Sequence, residues 1–277
     1  MRVRILAKIL PLAIAAAAGL ALLNSVGDAQ ADAEGGGAKP IRVLHLTGGC
    51  CHDYDQQKLI LQAGLEERAN VEFTVIHEGG KGSAHQYGLL KEKGWGDKFD
   101  VVLYNICFAK EADVDYIEGI TKVHHDGLAA VALHCTYHSH HWNAETDAWE
   151  DFLGVSSRGH GPKAKIKVTN LEPEHPVMKG FPAEWTTPQG ELYNVQETLT
   201  ATPLAGGDNG KAKYDVIWFN EYGKGKVFGT TMGHHNETMS DPVYLDLVGR
   251  GLLWSVGHLG KDGKPAAGYG PVGVGCQ

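Results

Sequence analysis

The chain has 277 residues, with 25 Lys+Arg against 33 Asp+Glu and a formal net charge of −8. That balance, without a basic stripe, excludes a nucleic-acid binder, because neutralising phosphates needs clustered Lys and Arg. A composition 43% hydrophobic and 21% charged excludes intrinsic disorder, and the unusual counts are 15 His and 37 Gly.

In chain order, Arg2, Arg4 and Lys8 precede an apolar run from Ile9 to Leu23, which reads as the n- and h-regions of a signal peptide. Ala29-Gln30-Ala31 and Ala31-Asp32-Ala33 are both acceptable cleavage sites, so cleavage is expected near Ala31 or Ala33. The run is short for a membrane span of about 20 residues, and no stable span is expected after cleavage. Loss of residues 1–33 removes Arg2, Arg4 and Lys8 against Asp28 and Asp32, taking the charge from −8 to −9. The expectation is an exported, periplasmic or secreted protein. It divides into a signal peptide (1–33), a linker (34–40), a folded domain (41–259) and a Gly-rich tail (260–277), the last expected to be flexible unless the Cys276 thiol ties it down.

The domain alternates strand and helix. Ile41–Leu46 reads as a buried strand ending at Gly48-Gly49, Asp53–Arg68 as a helix, and Val71–Ile76 as a second strand. Asp100–Tyr104 gives a third strand, Ala112–His125 an amphipathic helix stopped at Gly127, and Leu128–Leu133 a fully apolar fourth strand. Further strands are expected near Ala164–Val168, Asp215–Phe219 and Lys226–Thr230, and a closing helix over Pro242–Val256. Strands with few polar positions, alternating with helices, fit a mainly parallel sheet covered on both faces, a three-layer α/β/α sandwich. Thr169–Pro203, rich in Pro, reads as a loop insertion over the sheet.

Ligands of such sheets bind where loops leave the carboxyl ends of the strands, and the polar residues collect there. The first strand leads to Cys50-Cys51-His52-Asp53, the third to Asn105-Ile106-Cys107, the fourth to His134-Cys135-Thr136-Tyr137-His138-Ser139-His140-His141-Trp142, and a late one to Gly233-His234-His235-Asn236-Glu237. Glycines recur at those exits, where tight turns need no Cβ. The cysteines number five: Cys50, Cys51, Cys107, Cys135 and Cys276. Adjacent cysteines rarely bridge, so Cys50 and Cys51 are expected to pair elsewhere, Cys107 being one option, or to stay reduced.

Gly48–Asp53, Ala129–His134, Gly159-His160-Gly161-Pro162, His175-Pro176-Val177, Gly190-Glu191-Leu192-Tyr193, Tyr222–Phe228 and Gly233-His234 together resemble the trehalose-utilisation (ThuA-like) domain. The likeness runs over residues 41 to about 258. It implies a fold like that of the class I glutamine amidotransferases (flavodoxin-like). It also implies a carbohydrate substrate in disaccharide catabolism, through 3-keto sugars made by a partner sugar dehydrogenase. Carried residue by residue, it singles out His134, His234, Glu191 and Tyr193 for catalysis, and His52, Asp53 and His160 for binding; Trp142, outside those motifs, is added as a ring that can stack on a sugar.

Four chemical readings follow. In the first, imidazoles and Glu191 move protons on a keto sugar, with Tyr193 donating to the oxyanion; imidazole suits this because its unperturbed pKa is about 6.5. In the second, His52, His134 and His234 hold a divalent metal that assists the reaction, with His138, His140, His141 and His160 as further donors. The third is an amidotransferase-like hydrolase with Cys135 as nucleophile and His235 and Glu237 completing the set. Against it, Cys135 lacks the small neighbours that a sharp nucleophile turn needs. The fourth is a sugar-binding domain without catalysis, in which Trp142, Trp149, Trp185 and Trp218 stack on sugar rings, although Trp218 reads as core. His175 reads as structural.

Overall fold

The computed structural model describes residues 38–142 and 144–272. The expected signal peptide, most of the linker and Cys276 lie outside the described residues. Among those described, no helix is long and apolar enough to cross a membrane.

The first half alternates as its apolar pattern requires. Strand β1 (Ile41–Gly49) leads to α1 (Tyr54–Glu66), then β2 (Val71–His77), β3 (Val101–Cys107), α2 (Val114–His125) and β4 (Ala129–Leu133). Asp53 and Asp113 cap α1 and α2, their side chains accepting from the backbone N–H of Gln56 and Tyr116. Such N-caps satisfy donors the helix cannot pair itself. A six-residue helix, α3 (Ala148–Leu153), then opens a stretch dominated by strands: β5 (Val155–Lys163), β6 (Lys167–Asn170), β7 (Glu184–Thr186), β8 (Glu191–Thr198), β9 (Thr202–Asp208), β10 (Lys213–Tyr222) and β11 (Gly225–Thr230). Helices α4 (Asn236–Met239) and α5 (Pro242–Ser255) close the chain.

Nine strands form one sheet in the order β2-β1-β3-β4-β11-β10-β9-β6-β7. From β2 to β11 all neighbours are parallel; from β11 to β7 all are antiparallel. The switch is local. Tyr222 pairs with Gly225, which leaves the two-residue turn Gly223-Lys224, and Gly223 takes φ +60°. Turns of that kind join antiparallel neighbours. The expected α/β sandwich is therefore present, with a parallel core and an antiparallel wing.

Strand residues alternate between two cores. Val43, Leu103, Val131 and Phe228 pack with Leu61, Leu65, Leu247 and Leu252 on the α1/α5 face. Leu44, Val102, Ala130 and Val227 pack with Ile117, Ile120, Trp149 and Phe152 on the α2/α3 face. Both faces are dry, which explains why β4 is apolar at every position.

Three expectations are corrected. The strand placed at Ala164–Val168 lies instead at Lys167–Asn170. The supposed loop insertion contributes β7 and β8, and β8 pairs with β5 as a separate two-stranded ribbon. The tail is not a loose end throughout: His258 stacks on Tyr269 with centroids 3.5 Å apart, and Asn70 donates to the Gly268 carbonyl at 3.1 Å.

Candidate functional site

Because β1, β4 and β11 belong to the parallel half, their C-terminal exits meet at one edge of the sheet. After β1 the chain turns through Gly48 and Gly49, at φ +136° and +110°, and presents His52. A Cβ on Gly49 would run into the Cys107 carbonyl. After β4 comes His134, a non-glycine residue held at φ +44°. Left-handed backbone costs an L-residue free energy and persists only where its surroundings enforce it. Here the ring is fixed: Nδ1 donates to the Thr231 carbonyl at 2.6 Å, and Nε2 lies 3.1 Å from His234 Nδ1. His234 follows β11 and Gly233. Its carbonyl accepts from Gln57 Nε2 at 3.2 Å, and Gln57 Oε1 accepts from Asn105 at 3.2 Å, so α1 and β3 both anchor that loop.

The His52 ring stands edge-on to both, with centroids 4.8 Å from His134 and 4.6 Å from His234. Each of the three rings offers a donor atom, and these atoms lie within 4.8 Å of one another. The ribbon brings the acid. Glu191, the first residue of β8, places Oε2 3.1 Å from His234 Nδ1 and 3.6 Å from His134 Nε2. Its Oε1 lies 3.3 Å from His160 Nδ1 on β5. Across the ribbon from His160 is Tyr193, whose ring stacks on His138 at 3.9 Å and leans on His134 at 4.4 Å. Trp142 is 46% exposed and sits 5.9 Å from His138.

Burial sets the electrostatics. It pushes His52 down to about 3, with His234 adding to the effect, and holds His134 well below its ordinary range, with His52 adding. Both rings are therefore neutral near pH 7. Burial raises the Glu191 carboxyl, but the bond and charge from His234, with His160 and His52, outweigh it and keep it below its usual value. Glu191 is an ionised acceptor. Burial, reinforced by Glu191, drives the Tyr193 phenol well up, so it stays protonated.

The other expected residues separate by role. Asp53 caps α1, and its Oδ2 accepts from Asn236 Nδ2 at 2.8 Å. The His-rich stretch does not converge as a whole: His138 stacks on Tyr193 and contacts Ser157 at 3.3 Å, whereas His140 packs on Trp149 and His141 faces Glu150 at 3.0 Å. Of that run His134 alone joins the imidazole cluster, and His138 backs it through the Tyr193 ring. His175 caps a turn at Pro176 and stacks on Phe219, as a structural histidine should. Trp149, Trp185 and Trp218 are buried, which leaves Trp142 as the exposed ring of the four.

The cysteine expectations change most. Cys50 is bonded to Cys51, and Cys107 to Cys135. Cys135 is 4% exposed and has no free thiol, so it cannot serve as nucleophile. His235 beside His234 and the exposed Glu237 then have no thiol to activate. The supporting residues that sequence reasoning missed are Gln57 and Thr231, while Asn105, expected at a strand exit, takes its place there by donating to Gln57. Gln57 carries no motif, and Thr231 acts through its backbone.

A cleft of about 760 Å³ opens beside the cluster, lined by His52, Asp53, Tyr54, His234 and Asn236. A larger one of about 1000 Å³ lies at the opposite edge of the sheet. There Arg42 is paired with Asp100 at 2.8 Å, and no group like the imidazole cluster is present among its lining residues.

Comparison with known proteins agrees with this geometry. The family model of ThuA, described as trehalose utilisation, matches residues 42–255. A putative ThuA-like protein from Parabacteroides merdae superposes with a TM-score of 0.64 at 17% identity, covering 83% of this chain and 98% of that one. One from Bacteroides uniformis gives 0.58 at 17% identity, covering 82% and 96%. A search of curated protein sequences finds no match. The parallel core, the strand-exit histidines and the matched residues place the chain in the ThuA, trehalose-utilisation, family.

Proposed function

We propose that the chain is an exported enzyme of carbohydrate catabolism that acts on a 3-keto disaccharide or glycoside by proton transfer. The observation that supports it is the ionised Glu191 carboxylate, 3.6 Å from the neutral ring of His134 and 3.1 Å from His234. A keto sugar has an acidic C–H beside its carbonyl. Glu191 accepts that proton, and negative charge moves onto the carbonyl oxygen, where a hydrogen-bond donor must stabilise it. If the proton returns to the neighbouring carbon, the sugar is isomerised. If the electron pair instead forms a C=C bond and expels the glycosidic oxygen, which leaves with the proton held by Glu191, the disaccharide is cleaved into an unsaturated keto sugar and a free alcohol. Tyr193, protonated and packed against His134, donates to the oxyanion, and Trp142 offers a face for a pyranose ring.

The family's link to trehalose utilisation supports a sugar substrate, and a partner sugar dehydrogenase is the class of enzyme that makes the ketone. Export rests on residues 1–33 alone. Purified protein incubated with 3-keto-trehalose or a 3-keto-glucoside, followed by NMR, tests the activity. Glu191→Gln should lower turnover by about 10²-fold or more at unchanged melting temperature. No consumption of either sugar would turn the reading toward binding without catalysis.

A further inference from the structure

The hydrogen atoms at the centre of the site do not match its lone pairs. His134 Nδ1 is 2.6 Å from the Thr231 carbonyl; a carbonyl only accepts, so the ring's hydrogen is on Nδ1 and Nε2 is a bare lone pair. That lone pair faces His234 Nδ1 at 3.1 Å and Glu191 Oε2 at 3.6 Å. His234 Nδ1 is also 3.1 Å from Glu191 Oε2. A single hydrogen on that nitrogen therefore serves two acceptors. His52 adds a buried Nδ1 with no partner.

We propose that His52, His134 and His234 hold a divalent transition-metal cation of the zinc class, with Glu191 beside its open face. A cation meets every lone pair that the available hydrogens leave unmatched. The spacing suits it: bonds of 2.0–2.1 Å in tetrahedral array put donor atoms about 3.3 Å apart, against 3.1 Å between His134 and His234. The Thr231 carbonyl on the far side of His134 fixes the tautomer, as outer partners of ligating histidines do. All-imidazole donation selects zinc, cobalt or nickel over magnesium or calcium, which take oxygen. The sulfurs of Cys50, Cys51 and Cys107 also cluster, but bonded in disulfides they supply no thiolate. The inference rests on the catalytic reading only for the role of Glu191, which takes the proton while the cation draws charge onto the carbonyl oxygen.

The test is titration of chelator-treated, full-length protein with Co²⁺ alone, read by visible absorption. The expected result is one equivalent bound with the intense d–d bands of a low-coordinate site. His52→Ala and His234→Gln should each weaken binding about a hundredfold or more, with circular dichroism showing the fold intact. The Cys107→Ser/Cys135→Ser pair should bind cobalt within a few-fold of the parent. No cobalt spectrum, or one that survives both histidine variants, overturns the proposal. The readout needs no sugar, so cobalt binding without keto-sugar turnover would refute the catalytic reading and leave the cation. Turnover by protein that binds no cobalt would do the reverse.

Discussion

His45→Leu should stabilise the chain, and by more at acid pH than at alkaline pH. His45 lies in the middle of β1, fully buried, and neither ring nitrogen has a hydrogen-bond partner. A buried polar group left unpaired costs about 1–3 kcal/mol, so the leucine variant should gain about that much at pH 8. Acid adds a second contribution. Burial, helped by His77 and Lys58, pushes the ring from 6.5 down to about 3. The folded value is depressed, so the unfolded chain takes up the proton first. The native protein then loses stability as pH falls from 6.5 toward 3. At pH 5 a group that titrates at 6.5 when unfolded and stays neutral when folded shifts the balance by about 2 kcal/mol. Urea unfolding of both proteins at pH 8 and pH 5 should therefore show the advantage of the variant growing by about 2 kcal/mol. A variant less stable at pH 8, or an advantage equal at both pH values, would refute the reasoning.

By the same argument His124 and His140, which burial lowers to about 4 and about 3, add to the acid sensitivity. With His45 they should cost the parent about 6 kcal/mol between pH 8 and pH 5, seen as a steep fall in urea midpoint. Replacing Cys107 and Cys135 together by Ala should cost about 3–4 kcal/mol, since the bond closes a loop with a sequence separation of 28 and constrains the unfolded chain; thermal melts at pH 8 would show it. Asn220→Ala should cost about 3 kcal/mol, because its amide donates to the carbonyls of Asp151 and Phe152 and accepts from Thr200. A loss under about 1 kcal/mol in its chemical unfolding would mean that α3 is held by packing alone.

The parallel half of the fold is legible because burial on both faces writes itself into sequence as uninterrupted apolar strands, and β4 is the clearest case. His52, His134 and His234 could be placed together because each follows such a strand. The antiparallel wing is not legible in the same way. Strand β5 reads Val-Ser-Ser-Arg-Gly-His-Gly-Pro-Lys, and its pairing with β8 shifts register three times, so neither alternation nor an apolar run marks it. Glu191 and His160 were singled out by resemblance, while the ribbon that brings them to the cluster was not foreseen. Nor does pattern say which histidine of the His134–His141 run joins the imidazole cluster. That depends on one left-handed backbone angle and the carbonyl of a residue 97 positions later. The Cys50–Cys51 bond went against expectation because adjacency argues against bridging, whereas the turn after Gly49 brings both sulfurs beside Cys107.

The ribbon has an evolutionary corollary. The imidazoles hang from the rigid central sheet, whereas Glu191, His160 and Tyr193 belong to a two-stranded unit outside that sheet's hydrogen-bond ladder. Insertions and register changes in β5 and β8 can therefore reshape what the site accepts without disturbing the strands that carry the histidines. A lineage can change what the site accepts by editing the ribbon away from Glu191 and Tyr193, with the strand-exit histidines inherited intact.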